Sequence, residues 1–170
     1  MTAPTCDRDH TTVAAARSVV ADVPDPEVPV LTIDDLGVLR DVQIDGAGTV
    51  HVTITPTYSG CPAMDVIRDD VRTALEHAGW RTVEIHTVLS PAWTTDWMSD
   101  AGRAKLRTYG IAPPSSAVRG SRSVTLALSV RCPQCDSLDT RELSRFGSTA
   151  CKSLWVCQTC TEPFDHFKAI

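Results

Sequence analysis

Two Cys-x-x-Cys pairs close to the C-terminus, Cys132 with Cys135 and Cys157 with Cys160, constrain this chain more than any other feature. Five of its seven cysteines fall in the stretch RCPQCDSLDTRELSRFGSTACKSLWVCQTC, Arg131 to Cys160. Each pair turns two sulfurs towards one point. Two such turns, joined by a small antiparallel sheet, complete the tetrahedral shell that a zinc ion prefers. The 21 residues between the pairs are close to the spacing of a zinc ribbon. About fifty residues bury little apolar surface, so a metal would supply much of the folding energy. The reading is structural zinc at Cys132, Cys135, Cys157 and Cys160. Rubredoxin-like iron and a thiol redox pair are the alternatives. A site filled by four cysteines leaves no position for substrate. Cys151, six residues before Cys157, reads as a small buried group rather than a fifth ligand.

The rest of the chain sets the context. With 170 residues, 42% of them hydrophobic and 22% charged, it has the composition of a globular protein. The net charge of -5 gives no global sign of nucleic-acid binding. No apolar run is long enough to span a membrane, and the polar N-terminus lacks a secretory segment. The expected compartment is the cytoplasm, where paired cysteines read as metal ligands before disulfides.

The Pro-, Ser- and Gly-rich stretch IAPPSSAVRGSRS predicts a linker over 111–123, dividing a first domain over 1–110 from a ribbon over 124–170. Within the first domain the pattern predicts a helix from Thr12 to Asp22, stopped by Pro24 and Pro26. A hairpin follows, with strands at Val38 to Ile44, alternating imperfectly, and Thr49 to Thr55, joined by Asp45-Gly46-Ala47-Gly48. Apolar residues at helical spacing mark Asp65 to Ala78, a third strand runs from Thr82 to Leu89, and Ser99 caps a last helix ending at Tyr109 before Gly110. The fold class is α+β: a small mixed sheet covered by helices, followed by a C-terminal antiparallel zinc ribbon. The ribbon strands are expected at Thr140 to Arg145, Leu154 to Val156 and Phe164 to Phe167.

Cys61, in TPTYSGCPAMDVI, is the candidate for chemistry in the first domain. It follows a strand and opens the best helix, where unpaired N–H groups and the helix dipole favour a thiolate. A buried structural cysteine fits the same position equally well. The expectation is a lowered pKa, with iodoacetamide labelling Cys61 faster than Cys6. Asp25 and Glu27, in PDPEVP, read on spacing alone as a solvated turn. None of the five histidines is paired at ligand spacing along the chain; His86 is the one that draws notice. Trp80, Trp93 and Trp97 read as core before docking patch.

DPEVPVLTIDDLGVLRDVQI followed by VTITPTYSGCPAMD resembles the iron–sulfur assembly domain of the MIP-eighteen type, the DUF-fifty-nine family. The shared motifs fall at Asp25-Pro26-Glu27, Asp35-Leu36-Gly37, and Thr57 through Cys61-Pro62. SPAWTTDWMSDAGRAKLRTYGIAPP and RFGSTACKSLWVCQTCTEPFDHFK extend the likeness to the D-subunit family of bacterial phenylacetyl-CoA epoxidase systems. This resemblance implies aerobic phenylacetate catabolism, in which a diiron oxygenase is fed by a reductase carrying flavin and a [2Fe–2S] cluster. It implies an accessory role, loading iron or clusters into the reductase or oxygenase, with Cys61 as the functional thiol, transient iron or Fe–S bound there, and Asp25, Glu27 and Thr57 beside it. The chain lacks a Glu-x-x-His pair and a Gly-rich dinucleotide loop, in keeping with an accessory rather than a catalytic role. The expected partners are the reductase and oxygenase, with neither nucleic acid nor membrane; oligomeric state stays open, a homodimer among the options. The competing classes are a nucleic-acid- or protein-binding ribbon adaptor, a thiol oxidoreductase, and a working structural subunit of the epoxidase.

Overall fold

The computed structural model describes residues 12–114 and 130–169. The chain divides into two compact units between Trp93 and Thr94.

The first unit opens with helix α1 (Val13–Ala21), whose N-cap Thr12 accepts a hydrogen bond from the Ala15 N–H through its hydroxyl. Strands β1 (Leu39–Ile44) and β2 (Val50–Ile54) form an antiparallel hairpin. Helix α2 (Ala63–His77) then carries the chain to β3 (Val83–Thr87), which lies parallel to β2. The sheet order is β1-β2-β3. A parallel pair needs such a crossover, and α2 supplies it.

The imperfect alternation of β1 has a local cause. The register shifts between Leu39 and Asp41, a bulge that lets both Leu39 and Val42 face the core. Val50, Val52 and Ile54 of β2 are fully buried, as are Val71 and Leu75 of α2. The loop between α1 and β1 is also part of this core, burying Val28, Leu31, Ile33 and Leu36. Trp80 and Trp93 are buried, and the Trp93 indole N–H donates to the Leu36 carbonyl at 2.9 Å.

The second unit contains helix α3 (Asp100–Tyr109) and strands β4 (Thr140–Ser144), β5 (Lys152–Cys157) and β6 (Pro163–Phe167). Ser99 caps α3 by accepting from the Gly102 N–H, and Gly110 ends it at φ 91°, a conformation that suits glycine. The sheet is antiparallel with β5 central. One cluster of its core comprises Ala112, Val130, Cys132, Trp155, Cys157 and Phe164; Leu106, Ile111 and Phe167 are buried in the same unit.

The division differs from the expected boundary at 110. α3 falls in the ribbon's unit because the segment after it joins the ribbon sheet. The Ala112 N–H donates to the Asp165 carbonyl at 2.8 Å, and the Phe167 N–H donates to the Ala112 carbonyl at 2.9 Å. Ile111, Ala112 and Pro114 are buried, so the first residues of the expected linker are structural. The remainder of that linker, and the start of the expected ribbon at 124, lie outside the described residues.

Candidate functional site

The four paired cysteines converge. Cys132 ends the segment leading into the first knuckle, and its carbonyl accepts from the Asp136 N–H at 3.0 Å. Cys157 ends β5, and its sulfur accepts from the Cys160 N–H at 3.5 Å. The Cys132 and Cys160 sulfurs stand 3.8 Å apart, those of Cys135 and Cys157 3.5 Å apart, and all four lie within 4.8 Å of one another. Tetrahedral zinc with Zn–S bonds of about 2.3 Å has sulfur–sulfur edges of about 3.8 Å. The donor set and its spacing therefore fit zinc.

The thiols of the cluster hold their protons unequally. The Cys160 N–H is the largest influence on Cys157 and outweighs burial; with the Thr159 N–H it brings that thiol down to about 6. At Cys135 a hydrogen bond from the Ser137 N–H favours the thiolate, but burial and hydrogen bonding to Cys157, Cys160 and Cys132 prevail and push it up to about 12. Four sulfurs this close cannot all ionise unless positive charge lies between them. Cys132 and Cys157 are fully buried, while Cys135 reaches solvent. Cys151 is buried outside the cluster, its sulfur 3.0 Å from the Thr149 hydroxyl.

In the first unit, Cys61 sits in the β2–α2 loop just before the N-cap Pro62, half-buried. The expected lowering of its pKa is overturned: burial is the largest influence and raises it. A hydrogen bond from the Ala63 N–H at the start of α2 pulls it down, as anticipated, and so does Tyr58. The Glu27 carboxylate, and after it Asp25, push it up. The helix start does act on the sulfur; partial desolvation and two negative charges outweigh it.

This influence puts both carboxylates within electrostatic reach of the thiol. Asp25 corrects the solvated-turn reading. It is only 6% exposed, and one carboxylate oxygen accepts from the Glu27 N–H at 2.9 Å and the Val28 N–H at 2.7 Å. Those bonds shape the loop that holds Glu27, itself half-buried. Thr57 is half-buried in the Cys61 loop.

A second cluster was not legible as a ligand set along the chain. His51, Glu84 and His86 bring a ring nitrogen or carboxylate oxygen each within 4.8 Å of the others. Glu84 and His86, two apart on a strand, already share a face by strand periodicity. Only the parallel pairing of β2 with β3 adds His51.

Comparison with known proteins follows the same division. The family described as an iron-sulfur cluster assembly protein matches residues 14–87, and the family described as the PaaD zinc beta ribbon domain matches residues 117–168. The chain is 48% identical over 153 residues to the protein assigned as the D component of 1,2-phenylacetyl-CoA epoxidase in Escherichia coli (strain K12), covering 90% of each chain. The chain belongs to this D-component family. Its first unit is shared more widely. The Fe-S protein maturation auxiliary factor YitW of Bacillus subtilis (strain 168) is 42% identical over 78 residues, covering 45% of this chain and 76% of that protein. The crystal structure of a DUF59 domain from Bacillus anthracis superposes with a TM-score of 0.51 at 28% identity, over 55% of this chain and 90% of that one. This member of the D-component family is thus an α+β assembly-type domain joined to a metal-binding zinc ribbon. Among the described residues, no helix is long and apolar enough to cross a membrane.

Proposed function

We propose that this chain is a maturation factor, binding iron or an iron–sulfur cluster in transit at Cys61 and passing it to the reductase or the diiron oxygenase of a phenylacetyl-CoA epoxidase system. The observation that carries the reading is the thiol of Cys61 within the field of two carboxylates, in a domain whose relatives are named as Fe-S maturation factors. The charges that oppose a bare thiolate favour a thiolate bound to a cation. An arriving iron takes the place of the thiol proton and releases it. Cys61 offers a soft ligand, and Asp25 and Glu27 offer hard oxygens for the same cargo. Thr57 belongs to the same loop and would help to hold its shape.

The ribbon has a different part. Its four cysteines hold structural zinc, which shapes a unit with little apolar core and leaves no position for cargo. The thiol chemistry at both sites calls for a reducing compartment, in keeping with the cytoplasm.

The test is the iron and cluster content of reductase and oxygenase purified from cells lacking this chain. Such cells should fail to grow on phenylacetate. One of the two proteins should be under-loaded and should regain activity when its iron and clusters are rebuilt chemically. Fully loaded proteins from those cells, or a reaction that still requires this chain after reconstitution, would make it a working structural component instead.

A further inference from the structure

We propose that His51, Glu84 and His86 form a second metal site, on the sheet of the first unit, that takes one four-coordinate divalent transition-metal ion and leaves one position open. It is separate from the ribbon and does not depend on the maturation reading.

The site follows from strand register. In the parallel pairing of β2 with β3, His51 stands opposite Glu84, and Thr53 opposite His86. Side chains two apart on a strand share a face. His51, Glu84 and His86 therefore project together from the face of the sheet opposite Val50, Val52 and Ile54, which are buried. The His51 and His86 rings stack with centroids 5.6 Å apart and planes 17° from parallel.

The donor atoms form a nearly equilateral triangle. His51 Nδ1 is 3.3 Å from His86 Nε2 and 3.4 Å from Glu84 Oε2, and His86 Nε2 is 3.7 Å from the same Glu84 oxygen. Ligands at about 2.0–2.2 Å on a tetrahedral ion are separated by about 3.3–3.6 Å. Octahedral ligands at about 2.1 Å, as magnesium demands, are separated by only about 3.0 Å. Spacing disfavours magnesium, and the two imidazole nitrogens disfavour calcium, which takes oxygen ligands; together they select a borderline ion such as zinc or cobalt(II).

A supporting carboxylate is in place. His51 Nε2 lies 3.3 Å from Asp45 Oδ2. The other Asp45 oxygen accepts from the Ala47 and Thr49 N–H groups, each at 2.9 Å, in the β1–β2 turn. An N–H on Nε2 donating to Asp45 leaves the Nδ1 lone pair pointing into the triangle, the arrangement of a carboxylate–histidine–metal unit. The side chains keep 30% (His51), 55% (Glu84) and 51% (His86) of their exposure, so an ion has a direct approach and the fourth position faces outward.

The experiment titrates the full chain, its ribbon filled with zinc, with cobalt(II) alone, following absorption and bound metal by equilibrium dialysis. With Cys61→Ala as the background throughout, so that this thiol takes none of the metal, the otherwise wild-type chain should take up about one cobalt beyond the ribbon metal. Its visible bands should be those of tetrahedral nitrogen and oxygen ligation, without the sulfur charge-transfer band that cobalt exchanged into the ribbon would give. His86→Ala and Glu84→Ala should each weaken that uptake at least tenfold. Asp45→Asn should weaken it about 10- to 100-fold while keeping the stoichiometry, the range for loss of a supporting partner. His77→Ala, changing an exposed histidine on α2, should leave it unchanged. Unaltered tryptophan emission and circular dichroism establish that each variant is folded; the three ligands are partly or largely exposed, so all should be. Uptake by the otherwise wild-type chain that stops at the ribbon metal, or equal uptake when His51→Ala and His86→Ala are combined, overturns the proposal.

Discussion

Glu27 and Cys61 stand in opposition: the thiol, raised first by burial, is raised further by the carboxylate, against a pull downward from the Ala63 N–H. Glu27→Gln removes a negative charge and should bring the thiol pKa down. Iodoacetamide labelling of Cys61 near neutral pH should become several-fold faster in that variant. The measurement is the alkylation rate against pH, with Cys61→Ala as the blank. An unchanged profile would mean that the charge of Glu27 does not reach the sulfur.

Cys61→Ala should also separate folding from function. Cys61 precedes α2 and is half-buried, so truncation costs little packing. The variant should fold, keep its ribbon metal and fail to restore growth on phenylacetate to cells lacking the chain. Cys61→Ser should fail as well, because a hydroxyl at neutral pH does not replace a thiolate. Full complementation by either variant would remove Cys61 from the proposed function.

Cys132→Ser and Cys160→Ser each take one ligand from the ribbon and should unfold the second unit. A structural zinc site supplies roughly 10–16 kcal/mol of apparent binding energy, more than so small a core can replace. Cys151→Ser should keep the metal, since that sulfur lies outside the cluster. Metal analysis and loss of ordered signal in the ribbon strands check both statements; zinc lost from Cys151→Ser and kept by Cys132→Ser would reverse the assignment.

His166 gives the ribbon unit a pH dependence of definite sign. Burial lowers its pKa to about 4 from an ordinary 6.5, and its Nε2 is buried without a hydrogen-bond partner. Between these two values the unfolded chain binds the proton and the folded chain does not, so stability falls as pH drops from 6.5 towards 4. The loss is up to about 3 kcal/mol. At matched metal occupancy, denaturation of His166→Gln should lack that part of the slope.

Lys152 has a side chain only 7% exposed, and its ammonium lies 3.6 Å from the Asp165 carboxylate. Asp165→Ala leaves a buried cation unpaired and should cost about 3 kcal/mol, whereas the double change Lys152→Met/Asp165→Val, which removes both charges at similar volume, should be close to neutral. Chemical denaturation of the two variants would check the asymmetry.

Much of this architecture was legible residue by residue. Ser99 and Gly110 bound α3 because a cap hydroxyl and a left-handed stop are local requirements. The turn at Asp45 to Gly48, the helical spacing of Ile67, Val71 and Leu75, and the two cysteine pairs are local in the same sense. Each specifies its structure through neighbours within a few positions in the chain. What tertiary structure alone decided depends on residues that meet across the fold. The sequence put Cys61 at a helix start and so suggested a lowered pKa. The sign reversed because burial and the Asp25–Glu27 loop act through space, and desolvation is not a property of spacing. α3 joined the ribbon unit because Ala112 hydrogen-bonds beside β6, where composition had suggested a linker. His51 met Glu84 and His86 only because α2 returns the chain to run β3 parallel to β2. Local capping and periodicity determine elements, whereas the field at a thiol and the company of a histidine are set by which elements pack together.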